Sequence, residues 1–84
     1  MKQIILNGNL LSDAATVHDY LMEMLEFPKY YGKNLDALYD CLTDLDSVEI
    51  TIQLPEEDGA IFQKVLRVFK AADRANEDLK LNIL

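Results

Sequence analysis

Residues 28–45 read PKYYGKNLDALYDCLTDL, an aromatic turn followed by a short predicted helix that Asn34 is placed to cap. On a helical wheel the leucines of this stretch lie on one face, and three aspartates lie almost directly opposite: Asp36, Asp40 and Asp44. Like charges four residues apart destabilise a helix by about 0.2–0.5 kcal/mol per pair, and no Lys or Arg on this helix offsets them. Local stability therefore does not explain the acidic face.

The rest of the chain places this helix in one small acidic domain. A chain of 84 residues builds one core and is too short for two, so we expect a single domain over residues 1–84. The net charge is −7, and its distribution is regional. Between Lys33 and Lys64 there is no basic residue, whereas the acidic residues there are Asp36, Asp40, Asp44, Asp46, Glu49, Glu56, Glu57 and Asp58. Such a field repels nucleic acid and anionic membranes and attracts a cationic partner, although acidity kept only for solubility is the alternative.

Cysteine content and hydropathy indicate where the protein works. The single cysteine, Cys41, cannot form an intrachain disulfide, and the N-terminal residues do not resemble a signal segment. No apolar run approaches the roughly 20 residues that span a bilayer. We expect a cytoplasmic protein with no membrane partner, monomeric before it binds.

The periodicity of the chain predicts six elements. Strands are expected over residues 2–6, 48–54 and 79–83, and helices over 12–25, 34–44 and from the acidic segment 56–58 to about 76. This order predicts an α/β fold, with a small three-stranded parallel sheet and three to four helices. Because Ile4, Ile5 and Leu6 are consecutive, we expect the first strand to be central. The alternating second strand is expected at an edge.

Few residues suit catalysis. Cys41 falls toward the apolar side of its helix and is expected to be a small core residue, and His18 is the only histidine. Asp36 and Asp40, one turn apart, could hold a divalent cation or act as an acid and base pair, but no second cluster accompanies them. We therefore predict a protein that is not an enzyme and that needs no metal or cofactor, with a carboxylate-dependent metal enzyme as a weaker alternative.

Three tyrosines lie close to the acidic stripe in the sequence. An aromatic ring among surface carboxylates is a common arrangement for a protein-binding hot spot, since the ring supplies area and the charges supply orientation. We expect Tyr30 and Tyr39 to serve in this way and Tyr31 to pack inside.

The run PKYYGKNLDALYDCLT, residues 28–43, resembles the barstar family of intracellular inhibitors of a secreted bacterial ribonuclease. Weaker matches occur at residues 5–8, at His18 and at residues 65–69. The resemblance implies a barstar-like fold in which the acidic helix and the preceding loop plug a ribonuclease active site. Asp40 would be the main anchor among the enzyme's Arg, Lys and His residues, flanked by Asp36 and Tyr30. The other contacts would be Gly32, Asn34, Leu35, Tyr39 and Thr43, with Asp44 completing the acidic stripe.

The chain departs from the family pattern at the rim of this site. Family tryptophans are replaced by Tyr39 and Leu45, and an acidic contact on the last helix falls at Ala71. From the resemblance as a whole we predict a bacterial ribonuclease inhibitor or toxin-immunity protein. Its partner would be a basic extracellular-type ribonuclease or a related toxin. A barstar-like module for a basic partner that is not a ribonuclease is the alternative.

Overall fold

The computed structural model describes residues 1–84, which form three strands, three α-helices and a short 3-10 turn over Gly8–Leu11. The strands are β1 (Lys2–Asn7), β2 (Val48–Gln53) and β3 (Leu79–Ile83). The helices are α1 (Val17–Met24), α2 (Leu35–Thr43) and α3 (Ala60–Ala75). The predicted α/β class and the three-stranded parallel sheet are confirmed.

The strand order is β1-β2-β3, so the prediction that the first strand is central is wrong, as is the edge position expected for the second. A strand is central when it has hydrogen-bonded neighbours on both sides, whereas an apolar run reports only which faces are covered. The apolar sequence of β1 shows neither that the strand is central nor that both of its faces are covered. Ile4 and Leu6 are buried, while Ile5 between them is 59% exposed.

The sheet and the helices form two layers around one core. Alternate strand residues such as Ile50 and Ile52 are fully buried on one face, where Phe62 and Phe69 of α3 also lie in the core. The other face of the sheet is polar and open. Because only one face is covered, the strands alternate between buried and exposed residues, including the strand that looked apolar throughout.

Two helices begin later than predicted: α3 starts at Ala60, after the acidic segment 56–58, with Gly59 as its N-cap, and α1 also starts late. The first helix was expected to begin at Ser12 or Asp13, but α1 begins at Val17. Asp13 instead forms a turn, since its side chain accepts a hydrogen bond from the Ala15 amide at 2.9 Å and its carbonyl accepts one from Val17 at 3.0 Å. A polar side chain that bonds its own local backbone competes with helix formation. None of the helices is both long and apolar enough to cross a membrane.

Candidate partner-binding site

The acidic helix α2 lies on the outer surface, with its leucines inward. Leu38 and Leu42 are fully buried, while Asp36 and Asp40 on the opposite face are exposed. The predicted cap is confirmed, because the Asn34 Oδ1 atom accepts a hydrogen bond from the Ala37 amide at 2.8 Å. The helix therefore begins at a fixed point, and its carboxylates project from a regular backbone.

The C-terminal end of α2 is fastened by side chains. The Thr43 hydroxyl donates to the Asp40 carbonyl at 2.9 Å, and Asp44 is the C-cap residue. Asn76, just after α3, donates from Nδ2 to the Leu42 carbonyl at 3.0 Å and to the Leu45 carbonyl at 2.9 Å. The last carbonyls of a helix lack intrahelical partners, so these bonds satisfy them and fix α2 relative to α3.

The loop before α2, residues 28–34, is here called the aromatic loop, and it is anchored through Tyr31. This ring is 5% exposed, packs on Phe27 with centroids 4.9 Å apart, and its hydroxyl lies 2.7 Å from His18 Nδ1. Burial raises the pKa of Tyr31 and lowers the pKa of His18, the latter against the attraction of Asp19. The expected packing of Tyr31 is confirmed.

A second tie holds the same loop to α1. Lys33 Nζ lies 2.9 Å from Asp19 Oδ1, and this contact lowers the pKa of the Asp19 carboxyl. Lys33 has a φ of 53°, a left-handed conformation that turns the chain sharply into α2. Beside it, the Asn34 side chain donates to the Gly32 carbonyl at 3.3 Å. The aromatic loop thus enters α2 in one defined direction.

Two tyrosines remain at the surface beside the acidic face. Tyr30 is 88% exposed and Tyr39 is 37% exposed, in contrast to the buried Tyr31. The Tyr30 ring therefore has few contacts within the protein and its area is free for another molecule, whereas Tyr39 offers only about a third of its surface.

A groove of about 290 Å³ brings together Tyr30, Asp40 and Asp44. Its other lining residues are Leu25, Glu26, Phe27, Pro28, Cys41 and Leu45. The floor is mainly apolar and the rim carries carboxylates, a combination that suits a side chain with an aliphatic stem and a cationic end. Burial raises the pKa of the Cys41 thiol, as do the nearby Asp44 and Asp40 charges, so this thiol is a poor nucleophile.

The remaining predicted site residues lie outside this groove. Leu35 lines a separate cavity of about 220 Å³ between the helices, together with Val17, His18, Ile61 and Lys64 among others. Asp36 and Tyr39 line neither cavity and lie on the exposed side of α2. The predicted residues thus lie along the aromatic loop and α2 and do not share a single pocket.

Sequence reasoning missed two contributors to this surface. The segment 25–28 forms one wall of the groove. Asn76 holds the end of α2, whereas the sequence predicted this residue only as the position where the last helix ends. No group of three or more His, Cys, Asp or Glu side chains is arranged to hold a metal ion.

The fold and this surface together define a small two-layer α/β domain that presents an acidic helix beside a tethered aromatic loop. Residues 1–84 match the family described as Barstar (barnase inhibitor), and the chain belongs to that family. A Bacillus subtilis (strain 168) protein named "Putative ribonuclease inhibitor YrdF" is 37% identical over 86 residues, covering 95% of this chain and 91% of that protein. The resemblance first seen in residues 28–43 is thereby confirmed.

Proposed function

We propose that this protein inhibits a basic ribonuclease by placing the exposed face of α2 in the enzyme's active site. Membership of the barstar family and the name of the Bacillus subtilis relative support an inhibitor role. The observation that carries the proposal is that Asp36, Asp40 and Asp44 are exposed on one face and form no ion pair within the protein. Their unfavourable clustering is explained if a cationic partner neutralises them.

Carboxylates on a rigid helix suit a site built for RNA phosphate. Arg and Lys side chains that bind phosphate also donate charge-assisted, often bidentate hydrogen bonds to carboxylates, and these are strongest where water is excluded. Asp40 is the anchor on this proposal, since it lies in the middle of the exposed face and beside the groove. Asp36 and Tyr30 flank it, and the remaining predicted contacts surround it: Gly32, Asn34, Leu35, Tyr39, Thr43 and Asp44.

The structure supports the proposal through pre-organisation. Binding is weakened when side chains and loops must be ordered on association. Here the Asn34 cap, the His18–Tyr31 contact and the Lys33–Asp19 ion pair fix the aromatic loop and α2 beforehand. The protein on this view is a stoichiometric inhibitor without a cofactor, monomeric until it binds, that protects the cytoplasm of a bacterium from a secreted ribonuclease or related toxin.

An inhibition assay tests the proposal. Purified basic secreted ribonucleases of bacteria are assayed on a fluorogenic RNA substrate with the wild-type protein, Asp40→Asn and Glu23→Gln. Each variant removes one negative charge, so the two change the net charge equally. The control residue Glu23 is exposed on α1 and makes no ion pair. Loss of an interface hot spot costs at least about 2 kcal/mol, which is about 30-fold in affinity. The barnase–barstar pair is itself one of the examples behind this general rule.

We expect at least about 30-fold weaker inhibition by Asp40→Asn and less than about twofold weakening by Glu23→Gln. Equal inhibition by wild type and Asp40→Asn would contradict the anchor. Salt-sensitive binding to these enzymes without inhibition would instead favour the alternative, a module for a basic partner that is not a ribonuclease.

A further inference from the structure

Helix α3 carries an exposed row of positive charge in an otherwise acidic protein. Lys64, Arg67 and Arg74 are spaced so that they lie within one narrow outward face of the helix, here called the cationic stripe. All three are exposed, and none forms an ion pair, whereas Lys2, Lys33 and Lys80 elsewhere in the chain each contact a carboxylate. Residues 64 and 74 are about 15 Å apart along the helix axis.

The stability of α3 does not explain the stripe. A cation in the last turn favours the helix dipole, which accounts for Arg74. Lys64 and Arg67 lie beyond the first turn and before the last, so the dipole does not account for them, and the neighbouring Lys70 adds further like-charge contacts three and four residues apart. The only acid of the helix, Asp73, makes no ion pair with any of them.

The stripe borders the proposed partner-binding surface. Leu35 of α2 shares a cavity with Ile61, Lys64 and Val65 of α3, so this side of α3 faces α2. Asn76 joins the ends of the two helices.

A stable interface needs more surface than α2 and the aromatic loop provide. Specific interfaces bury about 800 Å² on each partner, with roughly 20–30 residues a side. The aromatic loop and α2 supply fewer residues than that, and several of them are buried. A partner centred on Asp40 therefore needs contacts on a neighbouring element, and α3, which shares a cavity with Leu35 and is tied to α2 by Asn76, is the one that carries the cationic stripe.

We propose that the cationic stripe binds an acidic segment on the rim of the ribonuclease whose active site receives α2, an inference that rests on the proposed function. The partner thus presents two signs of charge, basic at the active site and acidic beside it. A segment of about five extended residues matches the 15 Å length. This pairing selects against basic ribonucleases that lack the acidic rim, because like charges facing each other across an interface are unfavourable.

The test measures dissociation constants and rates for a ribonuclease that the wild-type protein inhibits. The triple variant Lys64→Gln, Arg67→Gln, Arg74→Gln is compared with Lys80→Gln, a control that is exposed on β3 on the opposite face of the sheet from the buried Leu79. Removal of positive charge makes the inhibitor more acidic, so steering toward a basic partner alone predicts faster and tighter binding. The proposed rim contact predicts the opposite sign for the triple variant.

We expect the triple variant to bind about 3- to 10-fold more weakly through faster dissociation, and Lys80→Gln to bind at least as tightly as wild type. The double variant Arg67→Lys, Arg74→Lys keeps the charge and is expected to retain most of the affinity. Circular dichroism should show an unchanged fold, since all of these side chains are exposed.

Equal or tighter binding by the triple variant would overturn the rim contact while leaving the proposed function intact. Absence of any ribonuclease inhibition by the wild-type protein would overturn both. Binding of a single-stranded RNA oligonucleotide, or salt-sensitive self-association, that is lost in the triple variant would assign the stripe to a different occupant and also overturn the proposal.

Discussion

Asn76→Ala should be among the most destabilising changes of a polar residue in this protein. Asn76 is the one polar residue in the buried set, at 8% exposure. Its Nδ2 atom donates to the carbonyls of Leu42 and Leu45, and its Oδ1 atom accepts from the Asp78 amide at 3.0 Å. One side chain therefore joins the end of α2, the end of α3 and the turn into β3.

The magnitude follows from these three hydrogen bonds. Each contributes about 1 kcal/mol net, and the Leu42 carbonyl keeps the Leu45 amide as a partner at 3.3 Å, so the expected loss from the three bonds is about 3 kcal/mol. For a domain of this size a loss of 1 kcal/mol lowers the melting temperature by about 4–8 °C, which predicts a decrease of about 12–24 °C.

Asn82→Ala is the matched control. The Asn82 side chain also donates two hydrogen bonds, to Glu49 Oε2 at 2.7 Å and to Thr51 Oγ1 at 3.3 Å, but on the open face of the sheet. These bonds are part-buried and water can replace the partners only in part, so we expect a loss that is smaller than that of Asn76→Ala. Urea unfolding followed by circular dichroism and tyrosine fluorescence measures both, since the protein contains no tryptophan.

Asn76→Asp separates hydrogen bonding from shape. An ionised carboxylate at this position would face two carbonyl oxygens, whereas a protonated carboxyl could donate to one of them. Its folded pKa should therefore lie above its unfolded pKa, so the variant should lose stability as the pH rises from 4 to 7. The reasoning is refuted if Asn76→Ala costs less than about 1 kcal/mol, or no more than Asn82→Ala.

Two further predictions concern stability elsewhere in the fold. Gly8→Ala would place a Cβ atom against the Gln53 carbonyl oxygen, so we expect a loss of about 3 kcal/mol or more in urea unfolding. Gly59→Ala meets open space, but Gly59 is the N-cap of α3, where Ala is less favourable, so we expect a loss of about 1 kcal/mol or less. Burial lowers the pKa of His18 in the folded protein. The unfolded chain, with an ordinary pKa of about 6.5, therefore binds the proton more readily, so the free energy of unfolding should fall as the pH decreases from 7.5 to 5.5. Replacement by His18→Gln should flatten that part of the curve, and an unchanged slope would contradict the role assigned to the contact with Tyr31.

The sequence predicted the elements that depend on local chemistry. The period of 3.6 residues placed Leu38 and Leu42 inward and Asp40 outward, and Asn34 caps α2 as expected. The start of α1 was wrong because Asp13 can either cap a helix or close a turn. The Asp13 side chain accepts a hydrogen bond from a nearby backbone amide both in a helix cap and in a turn. The neighbouring residues do not show which of these two structures forms.

The arrangement of those elements was harder to predict from the sequence. The apolar run of β1 suggested a central strand, but hydrogen-bonding neighbours are chosen by the whole sheet, and β2 occupies the centre. The groove beside Asp40 was not predicted, because its two walls come from segments 25–28 and 40–45, which only the tertiary fold brings together. The selection of individual contact residues rests on the family resemblance and stays a prediction.

The amino-acid sequence by itself determined that an acidic helix would stand beside an aromatic loop with its charges turned outward. That follows from side-chain spacing and charge, which act over a few residues. The tertiary structure decided that Tyr31 is buried against His18, that Asn76 fixes the end of α2, and that Lys64 of α3 shares a cavity with Leu35 of α2. These contacts join residues far apart in the chain, so they exist only once the sheet has set the positions of the helices.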